Sequence, residues 1–515
     1  MSQPQASEVN PPANLPLVLG AVATALLLAS LGQTIVTTAL PVIVGDLGGL
    51  DQLSWAITSY LLAATVVTPI YGKLGDMFGR KIVLQVGIVI FLVGSGLAAI
   101  SSSMTMLVAA RVIQGLGAGG LIVVPMAAVG DLVPPRERGA IQGWLGGVFG
   151  FSTVVGPLIG GFLVEQLSWH WLFLVNLPIG ILSFIVITFA LHTPQKKVSR
   201  AVDYAGAATL ALLLSAIVLY TSLGGTVIKW FSIPGIGLLV LAVLGLVGFI
   251  VAEGRAQEPI LPLSLFRNNA FLVSNIVGFL IGMAMFGSIT FLPLFLQMVM
   301  HVSPTEAGLR LIPMMGGLIG SSALAGWIMS RWGRYKLLPI LSSLILGVAM
   351  LLLGTITPHT NIWVISFYMF LAGVGIGPVM SVGVTAIQNA VPRAVLGVGT
   401  ASANMFRQIG GSIGVSVFGA IFANRLAAEL AAHLPAGGSM PAQITVNTVA
   451  ALPPEIQEPI LFAYAYALHP VFWVAAAAAG IAFVTGLMLK EIPLADSFDR
   501  SARAQPDEAR PVAAE

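Results

Sequence analysis

Apolar runs of about twenty residues, the length a helix needs to cross a bilayer, recur along almost the whole chain and dictate what it can become. Splitting them at charged, Pro, Gly and Asn breaks predicts fourteen helices, at about 17–43, 52–71, 82–101, 105–129, 138–164, 170–190, 203–222, 233–252, 271–298, 307–329, 337–356, 362–387, 398–422 and 468–489. Only 8% of the 515 residues are charged and 57% are apolar, against about 25% charged in an ordinary soluble domain. An all-α polytopic membrane protein is therefore expected, and a soluble enzyme is excluded. The absence of cysteine removes disulfides, thiol chemistry and thiolate-held metals. The six histidines are scattered and form no ligand pattern, so neither metal nor cofactor is expected.

An even number of spans puts both termini on one side, and basic residues collect in cytoplasmic loops. With the N-terminus inside, only Lys229 and Arg425 fall in outer segments and only Arg111, Arg310 and Arg407 fall within helices; every other Lys and Arg of the 23 lies in an inner segment. Both termini are thus expected in the cytoplasm, with the protein in a plasma membrane of bacterial type. The net charge of +3 follows from this topology and implies no nucleic-acid partner. Residues 1–14 are polar and lack the basic flank of a signal peptide, so the first apolar run is expected to be retained.

An internal repeat organises the chain. GKLGDMFGRK at 72–81 returns as GWIMSRWGRYK at 326–336, matching Gly72, Gly79 and Arg80 with Gly326, Gly333 and Arg334; VPPRERG at 133–139 returns as VPRAVLG at 391–397. Two homologous six-helix bundles are expected, at 15–192 and 268–490, around two linker helices within 203–252. Polar tails occupy 1–14 and 491–515, and 423–467 is expected to be an outer loop with one short surface helix. Parallel six-helix repeats are an architecture of secondary transporters, whose bundles rock about a site near the bilayer midplane.

In the 72–81 loop, Gly72, Gly75 and Gly79 suit tight turns. Asp76 can cap a helix start, and Arg80 with Lys81 can pair with acids. This loop resembles the signature between the second and third spans of the major facilitator superfamily, whose charged residues form a cytoplasmic relay that latches the outward-facing state. The resemblance places Gly72, Asp76, Gly79 and Arg80 in that relay, with Asp131 as partner. LVAARVIQGLGAGG at 107–120 resembles the family's fourth-span motif through Arg111, Gln114 and Gly115. STVVGPLIGG at 152–161 resembles the fifth-span motif of antiporters, in which Gly156, Gly160 and Gly161 would let helices approach and Pro157 would bend the helix. With SWHWLFLVNLPIG at 168–180 and fourteen spans, the pattern is similar to the 14-helix drug:proton antiporter branch.

Three positions depart from that branch. LGQTIVTTALP at 31–41 has Gly32 where the branch carries Asp, the second relay copy has Ser330 in place of an acid, and His170 replaces the Arg of SWRW. No carboxylate falls mid-helix, so the proton-coupling candidates are Asp76, Asp131, Glu165 and Glu306. Arg111 lies a few residues below the outer surface, held by polar partners or reaching the headgroups. Arg407 lies near the midplane, where a charge is rarely without function. It can sit in a watered cavity with Asn404 and Gln408, replace a proton-linked charge, bind an anionic substrate group, or pack the bundles through carbonyls. Gln33 and Thr34, with Thr37, add neutral polarity, and Met283, Met285, Phe286 and Phe291 can form an adaptable apolar wall.

The expected function is secondary export of amphipathic or lipophilic organic compounds by alternating access, of multidrug-efflux type, with proton antiport implied by the resemblance and the proton gradient as energy source. The alternative, raised by Gly32, is an uncoupled facilitator, or an exporter or importer of a specific metabolite, lipid or siderophore. No G-x4-G-K-[ST] loop supports an ATP-driven pump, and no H-E-x-x-H supports a metalloenzyme. The expected partners are a small-molecule substrate and the lipid bilayer, and a monomer suffices for this architecture.

Overall fold

A computed structural model describes residues 15–36, 39–48, 53–191, 202–225, 227–433 and 454–495. The first bundle contains α1 (Leu15–Thr34), α2 (Leu40–Leu47), α3 (Leu53–Phe78), α4 (Arg80–Ala99), α5 (Met104–Leu132), α6 (Pro135–Gln166), α7 (Trp171–Leu174) and α8 (Asn176–Ala190). Next come α9 (Tyr204–Leu223) and α10 (Ile233–Arg255), packed on each other. The second bundle contains α11 (Asn269–Val299), α12 (Pro304–Arg310), α13 (Ile312–Trp332), α14 (Leu337–Leu353), α15 (Ile362–Ala390), α16 (Leu396–His433) and α17 (Pro454–Leu487). Among the described residues, 12 helical segments are long and apolar enough to cross a membrane. The glycine-rich α6 and the 17-residue α14 accompany them, a set consistent with the fourteen expected spans.

Side-chain caps explain several helix starts. Ser103 accepts from the Met106 amide, Asp203 from Gly206, Asn268 from Ala270 and Phe271, and Asn361 from Trp363, each satisfying donors that a helix start leaves free. Gly79 at φ 89° and Gly333 at φ 67° end α3 and α13 in the left-handed region that glycine tolerates. The two copies of the repeat share a positive φ at this glycine but turn differently, with ψ 148° at Gly79 and 14° at Gly333.

Three boundaries differ from expectation. The first apolar run is divided: α1 ends at Thr34 and α2 begins at Leu40 with Pro41 in its first turn, where proline is tolerated because its missing N–H has no helical partner to bond. The 72–81 segment is not a loop up to Gly79: Gly72 and Gly75 lie inside α3. The expected outer loop 423–467 is helical at both ends, in α16 to His433 and in α17 from Pro454; residues 434–453 lie outside the described residues, as do Asp51, Thr37 and most of both tails.

The bundles meet where α3 packs on α16 and α6 packs on α13 and α15. A Cβ on Gly72 would sit 2.6 Å from Ala401 Cβ and 2.7 Å from the Gly397 carbonyl, and one on Gly326 would sit 2.5 Å from Ala140 Cα and 2.7 Å from the Gly139 carbonyl. Gly72 and Gly326 are equivalent in the first repeated motif, Gly139 and Gly397 in the second, so each motif of one bundle abuts the other motif of its partner. Toward the middle the seam continues with Gly143 against Ser322 and Thr65 Oγ1 donating to Gln408 Oε1 at 2.7 Å. The linker helix α9 packs on α3 and α16, whereas α10 turns Val240, Val243, Leu244 and Val247 outward, as a lipid-facing helix does.

The small-residue seams are close packing and should behave as such. Gly117→Ala would push a methyl into the α4 backbone at Phe91 and Gly87 and is expected to cost about 1–3 kcal/mol. Gly96→Ala, with nothing within 4 Å, is expected to be neutral or slightly stabilising. Thermal unfolding of the detergent-solubilised variants separates the two; equal midpoints would overturn the packing account.

Candidate functional site

One end of the molecule gathers the basic loops. Lys73 donates to Glu258 at 2.7 Å, Arg136 donates to the carbonyls of Ser330 and Arg331, and Tyr335 and Lys336 amides donate to Glu491. Burial pushes the Tyr335 hydroxyl above the ordinary phenol range, so it stays protonated beneath these contacts.

At the centre of this basic end sits Asp76. Its carboxylate accepts the Arg80 guanidinium at 2.5 Å and, across the bundle interface, the backbone amides of Gly397 at 2.9 Å and Val398 at 3.0 Å. These are free amides in the first turn of α16, so Asp76 caps a helix belonging to the other bundle, adding its charge to the positive end of that helix. Only 3% of the Asp76 side chain is exposed. Arg80 also donates to Asp131 at 2.7 Å, within the first bundle. The structure thus brings Gly72, Asp76, Gly79, Arg80 and Asp131 together, with roles sharper than the sequence suggested. Gly72 permits helix contact, and Gly75 leaves room for Arg80, whose Nη1 would lie 2.7 Å from a Cβ there. In the second copy, with Ser330 in place of the acid, Arg136 instead covers carbonyls in the last turn of α13.

Toward the opposite end, Arg111 is fully buried rather than reaching outward. Its Nε donates to the Ala56 carbonyl at 3.1 Å, and Nη1 donates to the Gly32 carbonyl at 2.8 Å and Gln114 Oε1 at 2.6 Å. Its Cζ stands 4.2 Å from the Tyr60 ring centre, a cation–π geometry. Gln114 in turn donates to Ser95, and the Tyr60 hydroxyl to the Ala29 carbonyl. Gly32 therefore enters this network only through its backbone carbonyl, and these partners of Arg111 are all neutral. Gly115 packs α5 on α3, a Cβ there lying 2.5 Å from the Tyr60 carbonyl.

Arg407 lies eleven residues into α16, about 16 Å along the helix axis and near the middle of a bilayer core about 30 Å thick. It is 7% exposed and donates through Nη2 to Asn404 Oδ1 at 2.5 Å. Asn404 Nδ2 approaches Met126 of α5 and Gln408 accepts from Thr65 of α3, while Arg407 Cγ lies 3.1 Å from the place a Cβ would take on Gly282 of α11. Arg407 therefore packs on α11 of its own bundle, beside residues of α16 that reach α5 and α3 of the other.

The remaining candidates are dispersed. Thr34 donates to the carbonyls of Ser30 and Ser152, joining α1 to α6 beside Gly156, and Gln33 is half-buried. Gly160 is buried, Gly161 has open space around it, and the Pro157 side chain lies outside the described residues. Met285 belongs to the apolar core of the second bundle, and Phe286 packs over Gly411. Glu165 is exposed at the end of α6, and Glu306 pairs with Arg310 at 2.5 Å on the surface. Gly410–Gly414 formally spells G-x-S-x-G, but mid-helix, where Ser412 shares a 2.7 Å hydrogen bond with Thr221 of α9; the strand–turn–helix context of a nucleophile elbow is missing. Tyr60, Ser95, Thr65 and Glu258 complete these networks and carry no spacing signal that sequence reasoning could have used.

The latch has a direct test. Asp76→Asn removes the charge from both interbundle hydrogen bonds and is expected to shift the basic end toward opening at least about tenfold, the equivalent of about 1.4 kcal/mol. Asp131→Asn, which touches only its own bundle, is expected to do less. Because the chain has no cysteine, spin labels at exposed Ile82 and Leu337 report the opening by electron–electron resonance; an equal response to both variants would overturn the assignment.

Comparison with known proteins agrees with this architecture. A family model described as Major Facilitator Superfamily matches residues 22–415. An uncharacterized MFS-type transporter of Mycobacterium tuberculosis is 40% identical over 484 residues, covering 94% of this chain and 70% of that one. Multidrug transporter protein MdtP of Bacillus subtilis is 38% identical over 431 residues, 83% of this chain and 79% of that one. Among solved structures, the human organic anion transporter MFSD10 superposes with a TM-score of 0.63 at 16% identity, over 92% of this chain and 99% of that one. The proton:xylose symporter XylE gives 0.60 at 15% identity, over 93% and 97%; both show a shared fold. A multi-pass helical membrane protein with two repeated bundles meeting at this latch, and with these relatives, is a transporter and no enzyme: the chain belongs to the Major Facilitator Superfamily.

Proposed function

We propose that this transporter exports amphipathic or lipophilic organic compounds by alternating access, with its basic end at the cytoplasm of a bacterial plasma membrane and both termini inside. The observation that carries the reading is the cap that Asp76 places on α16 of the opposite bundle. It is a polar contact at one end of an interface that also brings small residues close together, and water can replace it when the bundles part. Multidrug-named relatives at 38% and 35% identity support the substrate class. The clustering of basic loops at the latch end supports the orientation.

Of the four carboxylate candidates, proton antiport falls to Asp76 and Asp131, which join the network that reaches the other bundle, whereas Glu165 and Glu306 lie on the surface. Protonating Asp76 would remove its charge-assisted bonds to Arg80, Gly397 and Val398 and so favour opening at that end. An uncoupled facilitator is the second reading, favoured by one observation: the groups that accept from Arg111, the Ala56 and Gly32 carbonyls and Gln114, include no carboxylate.

Purified protein in liposomes loaded with a fluorescent lipophilic dye tests both. An imposed pH gradient is expected to drive uphill dye movement, and Asp76→Asn is expected to reduce flux at least about tenfold with folded protein intact, the size of the latch effect. Dye that only ever moves downhill would make the chain a facilitator, and loss of folded protein in the variant would reduce Asp76 to a structural cap.

A further inference from the structure

We infer that the substrate this transporter recognises carries an anionic group, a carboxylate, sulfonate or phosphate, and that Arg407 receives it beside the bundle interface. The inference rests on the transporter reading above and specifies the substrate class of its central site.

Three observations lead there. First, the charges embedded away from both ends are cationic. Arg111 and Arg407 have neutral partners, a pair of carbonyls, Gln114 and the Tyr60 ring for one and Asn404 for the other, and among the described residues neither forms an ion pair with an acid. A buried charge without a counter-charge is ordinarily expensive, so a site keeping one at its centre is built to have it matched. Second, Arg407 has donors to spare. Nη2 is committed to Asn404, whereas Nε and Nη1 make no hydrogen bond among the described residues and are not sealed off as Arg111 Nη2 is. A guanidinium offers a planar fork of donors that fits a carboxylate, sulfonate or phosphate. Third, the position adjoins the bundle interface: Asn404 and Gln408, on the same side of α16, touch Met126 and Thr65 of the other bundle, so Arg407 stands beside the surface that separates when the bundles rock. Arg111, sealed within the first bundle, cannot touch a substrate, but its field disfavours a cation and favours an anion in the same space.

An energetic consequence follows. Export of an anion moves negative charge outward, the direction that an inside-negative membrane potential favours, by about 50-fold in the equilibrium ratio for each charge and 100 mV. A transporter lacking the first-span carboxylate can thus still concentrate an anion outside.

The test uses the full chain in liposomes with two dyes sharing a xanthene ring, anionic fluorescein and cationic rhodamine 123, together with their binding to the detergent-solubilised protein by fluorescence anisotropy. Fluorescein is expected to bind and move at least about tenfold better than rhodamine 123, and a potassium diffusion potential is expected to drive its accumulation. Arg407→Gln is expected to lose that preference in both assays, while Arg407→Lys retains part of it through the charge without the fork. Should Arg407→Gln fail to fold, Asn404→Ala, which frees Nη2 but leaves the charge, is expected to keep the preference for fluorescein with altered affinity. Rhodamine 123 preferred by the wild type, or a preference for fluorescein that survives Arg407→Gln, overturns the anion site and leaves the export reading standing. Arg407-dependent binding of fluorescein without movement of either dye keeps the site and overturns the export reading, and neither binding nor movement of fluorescein overturns the inference.

Discussion

The closed arrangement of this protein depends on one desolvated carboxylate. Burying a charge costs several kcal/mol unless hydrogen bonds and an opposite charge replace the lost water. Asp76 finds both only when the second bundle is in place: Arg80 comes from its own side, while the amides of Gly397 and Val398 come from the first turn of α16. Pulling the bundles apart at this end returns Asp76 and those amides to water, which satisfies them again. The contact can therefore be exchanged for water without leaving a buried polar group unpaired. A purely apolar contact of the same area would have no such second solution.

Close approach is the condition for that geometry. The Asp76 carboxylate reaches α16 because Gly72 lets α3 lie directly against Gly397 and Ala401, and because Gly75 leaves the space that Arg80 occupies. The same construction recurs where Gly326 meets Gly139 and Ala140, but there Arg136 caps carbonyls of α13 in place of an acid capping amides. Two ends of helix dipoles are thus matched by charges of opposite sign on the two halves of one interface. The linker helices are tied to the same end, through the ion pair of Lys73 with Glu258 and through Glu253, which accepts the amides of Ile260 and Leu261.

Much of the fold was legible before any coordinates. Each predicted span reappears as a helix, because a run of about twenty apolar residues can satisfy its backbone in a bilayer only by folding on itself. The exceptions are local: the first run is divided ahead of Pro41, Gly72 and Gly75 stay helical, and the flanks of the outer segment extend α16 and α17. Of the site, the relay residues were legible as a motif and Arg407 by its depth. The partners were not. Asp76 binds amides more than 300 positions away, and a backbone amide has no sequence signature; Tyr60 and Ser95 around Arg111 look like any other polar residue in a helix.

From the sequence alone follow the all-helical membrane architecture and the order of its helices, the repeat that makes two bundles of them, and the asymmetry of basic residues between the two ends. These follow from hydropathy, length and charge, which act along a segment whatever surrounds it. Packing between distant helices makes Gly72 a contact and not a turn, sets Asp76 as the cap of a helix of the other bundle, seals Arg111 among neutral groups, and puts Arg407 beside the bundle interface with donors to spare. Those outcomes depend on distances of a few ångströms between residues far apart in the chain, and such distances are set by how whole helices pack.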